Sequence, residues 1–261
     1  VSMPANSYIG RHAELYDLFY AEKPYADEAA FVHRCIQAQK PGAKRLLELA
    51  CGTGTHSLLM EKFGYKIVAT DYSADMLTRA GEKGRAANSA VDFRQQDMCA
   101  LDVPERPFDV VVCLFDSIGY VATNENILRV LKDVHRHLAD DGIFLFEFWH
   151  GGAMLKSYDP VRVRRFQTPH GKIERISETR VDYAAQLCYV TYTINELNAD
   201  GSYQTLREKQ VNRFFLVQEM SLFLWQSGLT PVKWFSGFSE NEHIDAETWH
   251  IVAIARKGTA K

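Results

Sequence analysis

The chain has 261 residues, 46% of them hydrophobic and 24% charged, with a formal net charge of −3. That length permits one large α/β domain, or a domain with a sizeable insertion, burying roughly three quarters of its unfolded surface, and the slight acidic excess lacks the basic stripe of a DNA or RNA binder. Five cysteines, at 35, 51, 99, 113 and 188, form no CxxC pair, which argues against a disulfide framework or zinc knuckle and points to reduced thiols in a cytoplasmic protein; no run approaches the roughly 18 apolar residues of a membrane span, and VSMPANSYIG lacks a signal-peptide core.

Taken in chain order, HAELYDLFY places Leu15, Tyr16, Phe19 and Tyr20 on one helical face of an N-terminal arm or lid over 1–40. KRLLELA (44–50) predicts a buried strand, and the segment after Gly54 a helix carrying Leu58, Leu59 and Phe63. KIVAT (66–70) is a second strand, followed by Ser73 as N-cap of a helix with Met76, Leu77 and Ala80. VDFRQ (91–95) and FDVVVCLF (108–115) are the third and fourth strands. Thr123 then caps an amphipathic helix bearing Ile127, Leu128, Leu131, Val134 and Leu138, which is expected to stop at Asp141-Gly142 on a left-handed glycine. GIFLFEFW (142–149) is the fifth strand. This alternation predicts a parallel sheet with helices on both faces.

After Gly151-Gly152 the pattern changes to period-two segments, VRVRRFQT, KIERISETRVDY, QLCYVTYTINEL and YQTLREKQVNRFF, separated by turn signals at Pro169-His170-Gly171 and Asn198-Ala199-Asp200-Gly201. They predict an antiparallel meander over 153–213, inserted between the two parts, 41–152 and 214–261, of the α/β domain. A helix over 217–227 and strands PVKWFSGF and TWHIVAIAR complete that domain.

Ligands of open parallel sheets bind at the carboxyl ends of the strands, beside the first, where Gly52 and Gly54 stand. A dinucleotide site wants a third glycine three residues further on, and Ser57 occupies that position. The acid inside the strand points elsewhere. Glu48-Leu49-Ala50-Cys51-Gly52-Thr53-Gly54 resembles the first motif of class I S-adenosylmethionine (SAM) methyltransferases, with Thr55 where that family's final glycine stands. Asp71, Asp97-Met98 and FDVVVCLF follow in register with the family's acids after its second and third strands and with its fourth strand. The resemblance implies a seven-stranded Rossmann-like fold with the meander inserted, SAM as cofactor, Asp71 on the ribose hydroxyls and Asp97 near the adenine amino group. SAM carries a carboxylate, an ammonium and a sulfonium. Backbone N–H groups of the glycine turn suit the carboxylate, Glu48 the ammonium, and aromatic faces such as Tyr8, Tyr16, Phe115 and Tyr120 the sulfonium.

Tyr8-x-x-x-x-Ala13-Glu14-Leu15-Tyr16-Asp17-Leu18 with Tyr25, the FDSIGY segment (115–120) and Val211-Asn212-Arg213-Phe214-Phe215 further resemble nucleotide-linked amino-sugar N,N-dimethyltransferases. Tyr8, Tyr16, Tyr25, Glu48, Ala50, Cys51, Gly52, Gly54, Asp71, Tyr72, Met76, Asp97, Met98 and Phe115 are thereby the candidates for the cofactor. Tyr120, Asp116 and His150 are the candidates for chemistry, Asp116 to orient a hydroxyl or ammonium and His150 as the alternative base. Tyr120 replaces the family's histidine, and a phenol is a poor base at neutral pH. An amine that arrives unprotonated needs alignment more than a base. The loop SGFSENEHIDAET has no lysine or arginine for a nucleotide diphosphate, whereas Arg162 and Arg164 share a strand face and could contact one; Arg165 lies beside them. Glu147 and Trp149 are expected near the acceptor, and His250 in a structural role. His135 and His137, two apart on a helix, point away from each other and are read as surface residues, so no metal site is expected. The absent Asn/Asp-Pro-Pro-aromatic segment argues against nucleic-acid amino methylation. A small-molecule acceptor is expected, without nucleic acid or membrane, and a homodimer is allowed. O-methylation of a hydroxyl or carboxylate and a non-catalytic SAM-binding role stay open.

Overall fold

The computed structural model describes residues 8–258. Helices α1 (Gly10–Phe19) and α2 (Tyr25–Gln39) lead into β1 (Arg45–Leu49), α3 (Thr55–Glu61), β2 (Lys66–Asp71), α4 (Ala74–Ala86), β3 (Asp92–Gln95), β4 (Phe108–Cys113), α5 (Asn124–His137) and β5 (Leu138–Trp149). After α6 (Gly151–Ser157) four strands follow without a helix: β6 (Val161–Thr168), β7 (Gly171–Asp182), β8 (Leu187–Asn198) and β9 (Tyr203–Arg213). Helix α7 (Val217–Gln226) and strands β10 (Leu229–Ser236) and β11 (His250–Lys257) complete the described chain.

The large sheet has the order β10-β11-β5-β4-β1-β2-β3. Strands β1 to β5 pair in parallel, and β11 runs antiparallel to both neighbours. Because the central strands β1, β4 and β5 are covered on both faces, their apolar runs are nearly continuous. Leu47, Val111, Phe144 and Phe146 face α5 and α7, while Leu46, Val110, Ile143 and Leu145 face α2 and α3. The chain leaves β1 toward β2 and returns on the other side at β4, so the carboxyl ends of β1 and β4 flank the crevice where such sheets bind ligands.

The second sheet, β6-β7-β8-β9, is antiparallel throughout. Its inner face carries Phe166, Ile173, Ile194 and Leu206 against Leu15 and Phe19 of α1. Arg11 adds a bidentate pair to Glu196, at 2.9 and 2.6 Å, and His12 pairs with Glu208. The arm is thus fastened to the second sheet while Gly10 N–H donates to Asp75 of α4 at 2.6 Å.

Three local expectations fail. Helix α5 ends at His137, because Leu138 turns into extended backbone and pairs with Phe108; Gly142 sits inside β5 and takes no positive φ. Phe63 lies beyond α3 and stacks on His33 at 4.3 Å. His137 is fully buried, accepting from Val103 N–H at 3.2 Å and donating to the Asp133 carbonyl at 2.7 Å. His135 packs against Gly228, where an added Cβ would lie 3.0 Å from the imidazole.

Candidate active site

The turn after β1 is left-handed at Ala50, Gly52 and Gly54, with φ of 52°, 57° and 75°. Two different demands act on the glycines. Gly52 needs the dihedral, and its N–H donates to Asp71 Oδ2 at 2.8 Å. Gly54 needs the dihedral and the space, since a Cβ there would meet the Phe93 ring at 2.7 Å. Asp71, at the end of β2, also accepts from Ser73 N–H at 2.8 Å, and Ser73 caps α4 through Met76 N–H. One carboxylate therefore ties the glycine turn to the start of the next helix. Burial raises the Asp71 carboxyl above its ordinary value, and those backbone donors oppose the rise.

A cavity of about 390 Å³ opens beside this turn, within the range of small-molecule sites. Tyr8, Tyr16, Ala50, Gly52, Asp71, Tyr72, Met76, Asp97, Met98, Phe115 and Tyr120, all sequence candidates, line it. Among the described residues it has two carboxylates and no lysine, arginine or histidine in its wall. Such a wall favours a cationic ligand and disfavours a phosphate. Ser117, from the FDSIGY segment, also lines it, and Gln96, Cys99, Val121 and Asn126 complete the lining without having been named as site candidates.

Glu48, Tyr25 and Cys51 line a small annex of about 30 Å³, room for about one water molecule. Tyr16, Ala50, Gly52, Phe115 and Ser117 border both spaces. Glu48 is 2% exposed and accepts from the Ser57 hydroxyl. Burial pushes its carboxyl up to about 7, against the pull of His56 and Ser57. Gly54 lines neither space; its role is the turn and the contact with Phe93.

Two of the chemistry candidates fall elsewhere. Asp116 is 2% exposed and lines none of the cavities described here; burial first, and nearby Glu147, push its carboxyl well above its ordinary value. His150 faces the opposite side of the sheet end from Trp149, as strand alternation requires. Its Nδ1–H donates to the Thr248 carbonyl at 3.0 Å, and it borders a separate surface hollow. Tyr120 does reach the first cavity, but its hydroxyl bonds that of Tyr8, which also donates to Gln210 at 3.0 Å. Burial keeps the Tyr120 phenol well above its ordinary value, so it stays protonated.

A second cavity, about 660 Å³, lies under the inner face of the small sheet. Phe115 lines both cavities and stands between them. Its left-handed backbone, φ 55°, is pinned by its N–H donating to Glu147 Oε2 at 2.7 Å. The other oxygen of Glu147 is 2.8 Å from His250 Nδ1. His250, expected to be structural, instead lines the second cavity with Trp149, Tyr192 and Trp249. Lys23, Arg162, Arg164 and Arg175 also line it, whereas Arg165 falls on the outer face and pairs with Glu174 at 2.9 Å.

Comparison with known proteins fits this geometry. The family described as methyltransferase domain matches residues 46–142. Residues 46–142 form a methyltransferase domain. Within it lie the glycine turn, Asp71, Asp97 and Phe115. The chain is 35% identical over 140 residues, 53% of its length and 57% of the relative's, to a dTDP-3-amino-3,4,6-trideoxy-alpha-D-glucopyranose N,N-dimethyltransferase of Streptomyces venezuelae. The chain thus spans little more than half the length of such curated relatives. The solved SAM-dependent methyltransferase from Clostridium acetobutylicum superposes with a TM-score of 0.83 at 20% identity, covering 95% of this chain and 98% of the other. A SAM-bound amino pentose methyltransferase from Micromonospora echinaspora gives 0.75 at 21% identity, covering 97% and 98%. The fold around the methyltransferase domain, second sheet included, is that of class I methyltransferases.

Proposed function

We propose that the chain is a SAM-dependent methyltransferase acting on a small molecule, and that its acceptor is the amine of a nucleotide-linked amino sugar. The observation that carries this reading is the pair of cavities meeting at Phe115, one walled by carboxylates and aromatics, the other by cations and aromatics. The name of the Streptomyces venezuelae relative supports the acceptor class.

The residues present fit SAM, which when bound supplies an electrophilic methyl group on a sulfonium. Asp71 spends one lone pair of each oxygen on a backbone N–H, and a carboxylate has about four such sites, leaving capacity for two ribose hydroxyls. Asp97, whose side chain caps the turn at Cys99 N–H, stands where an exocyclic amine would be received. Glu48 serves the ammonium through the annex. Tyr8, Tyr16 and Phe115 offer ring faces and edges to the sulfonium at roughly 0.5–2 kcal/mol each.

On the acceptor side His250, backed by Glu147, is the group placed to take a proton from an ammonium entering the second cavity. Tyr20, edge-on to Phe115 at 5.0 Å, and Phe115 narrow the passage and hold the acceptor in line, where orientation does most of the work. Calorimetry with SAM and NAD tests the first layer, and absence of SAM binding would sink it. Methyl-transfer assays on sugar nucleotides bearing amino groups or only hydroxyls test the second; turnover of hydroxyl acceptors alone would reject the amine.

A further inference from the structure

Arg175 is 5% exposed, yet its Nε and Nη1 have no hydrogen-bond partner and no carboxylate pairs with it among the described residues. It lines the second cavity. Phe19, Tyr20 and Tyr192 surround the guanidinium, with ring centroids 4.7, 5.4 and 5.5 Å from its central carbon. Those rings hold the charge in place without satisfying its N–H groups. A buried guanidinium left with free donors is costly unless something else completes it.

A second observation points the same way. Arg175 lies directly opposite Arg164 in the β6–β7 register. Like charges in facing positions on one sheet face repel, and no described acid pairs with Arg164 either. The other cations of the cavity are answered, Lys23 by Glu28 and Arg162 by Asp159 at 3.0 Å. Glu22 is the remaining acid in the wall. The cavity thus keeps two adjacent, uncompensated guanidinium groups, one of them nine-tenths buried.

We infer that Arg175 is the oxyanion anchor of the acceptor cavity, offering one of its unpartnered donors, Nε or Nη1, to a phosphate or carboxylate oxygen of the acceptor, with Arg164 beside it. This rests on reading the second cavity as the acceptor site. It assigns to the inserted sheet the charge that the loop before β11 lacks, and it makes acceptor specificity depend on an anion some distance from the reacting atom. A guanidinium N–H carries full positive charge at any working pH and gives a charge-assisted bond to either oxyanion.

The test uses the full chain and two probes, inorganic pyrophosphate and malonate, titrated calorimetrically beside SAM. Pyrophosphate is expected to bind the wild type, and Arg175→Gln to weaken it at least tenfold, since a charge-assisted bond is lost. Arg175→Lys should fall between the two. SAM affinity should stay unchanged in all variants, and the melting temperature of Arg175→Gln should not drop, because the variant removes an unpaired buried charge. Binding of malonate but not pyrophosphate would support the anchor and make the acceptor a carboxylate. Unchanged pyrophosphate affinity in Arg175→Gln, or no binding of either anion to the wild type, overturns the inference. Should Arg175→Gln not fold, Arg164→Gln must weaken anion binding, or the inference falls. Failure of the wild type to bind SAM would instead strike the proposed function and leave the anion result readable.

Discussion

If Glu48 receives the ammonium of SAM as proposed, its buried carboxyl should make SAM binding pH-dependent in a defined window. In the ligand-free protein burial raises it from an ordinary 4.5 to about 7. Below 4.5 the folded and unfolded chains both hold the proton. Between 4.5 and about 7 the unfolded chain releases it and the folded chain does not, so the unfolded state binds fewer protons and stability falls as pH rises. The full fall is about 3 kcal/mol at ~1.4 kcal/mol per pH unit, complete above about 7. A ligand ammonium next to Glu48 favours the ionised form and reverses the preference. Binding should therefore release a proton near pH 6, and SAM affinity should rise with pH up to about 7 and then level off. At pH 5.5 ionising the group costs about 2 kcal/mol, so the Kd should be roughly thirtyfold weaker than on the plateau.

Calorimetric titration of SAM from pH 5.5 to 8 in buffers of different ionisation heat reads both the affinity and the proton count. Glu48→Gln keeps the shape, removes the titration, and should bind weakly with that slope abolished. Its denaturant midpoint should likewise lose the decline between pH 5 and 7. A wild-type Kd that does not change between pH 5.5 and 7, or an equal slope in Glu48→Gln, would refute the assignment of Glu48 to the ammonium.

Asp71→Ala is expected to weaken SAM by roughly 2–4 kcal/mol, the loss of two charge-assisted bonds; calorimetry checks it, and unchanged affinity would remove Asp71 from the site. Gly119→Ala should destabilise the fold by about 2–3 kcal/mol by overpacking, since its Cβ would lie 1.9 Å from Asn212 Oδ1 and 2.7 Å from the Arg213 carbonyl; a wild-type urea midpoint would contradict that close approach. His250→Gln should lower methyl transfer about a hundredfold, at the low end for a general base, without altering SAM affinity. An unchanged rate would mean that the acceptor amine arrives neutral and that alignment alone carries the reaction.

The wall of the first cavity was legible because its signals are local. A glycine turn after an apolar strand, and acids at the ends of the next two strands, converge on one crevice once the sheet is parallel, because the topology brings successive strand ends together. Asp71, Asp97 and Gly52 need no long-range information to be found. Some of the acceptor side was equally available and depends on parity: strand alternation sends Trp149 and His150 to opposite faces, and puts Arg165 outside while Arg162 and Arg164 point in.

The rest depends on register between segments far apart in sequence. His250 reaches Glu147 because β11 pairs antiparallel with β5 and sets His250 opposite Trp149, so the two side chains share a face on a diagonal. No spacing within either segment encodes that. Asp116 lines none of these cavities for a related reason. The left-handed turn at Phe115 and Asp116, φ 55° and 62°, turns the phenylalanine toward both cavities and the aspartate into the interior beside Asn212. Glu147 holds that turn by accepting from the Phe115 N–H, and its other oxygen lies 2.8 Å from His250 Nδ1 without hydrogen-bond geometry. One buried carboxylate thus touches both the turn that parts the cavities and the imidazole proposed as the base.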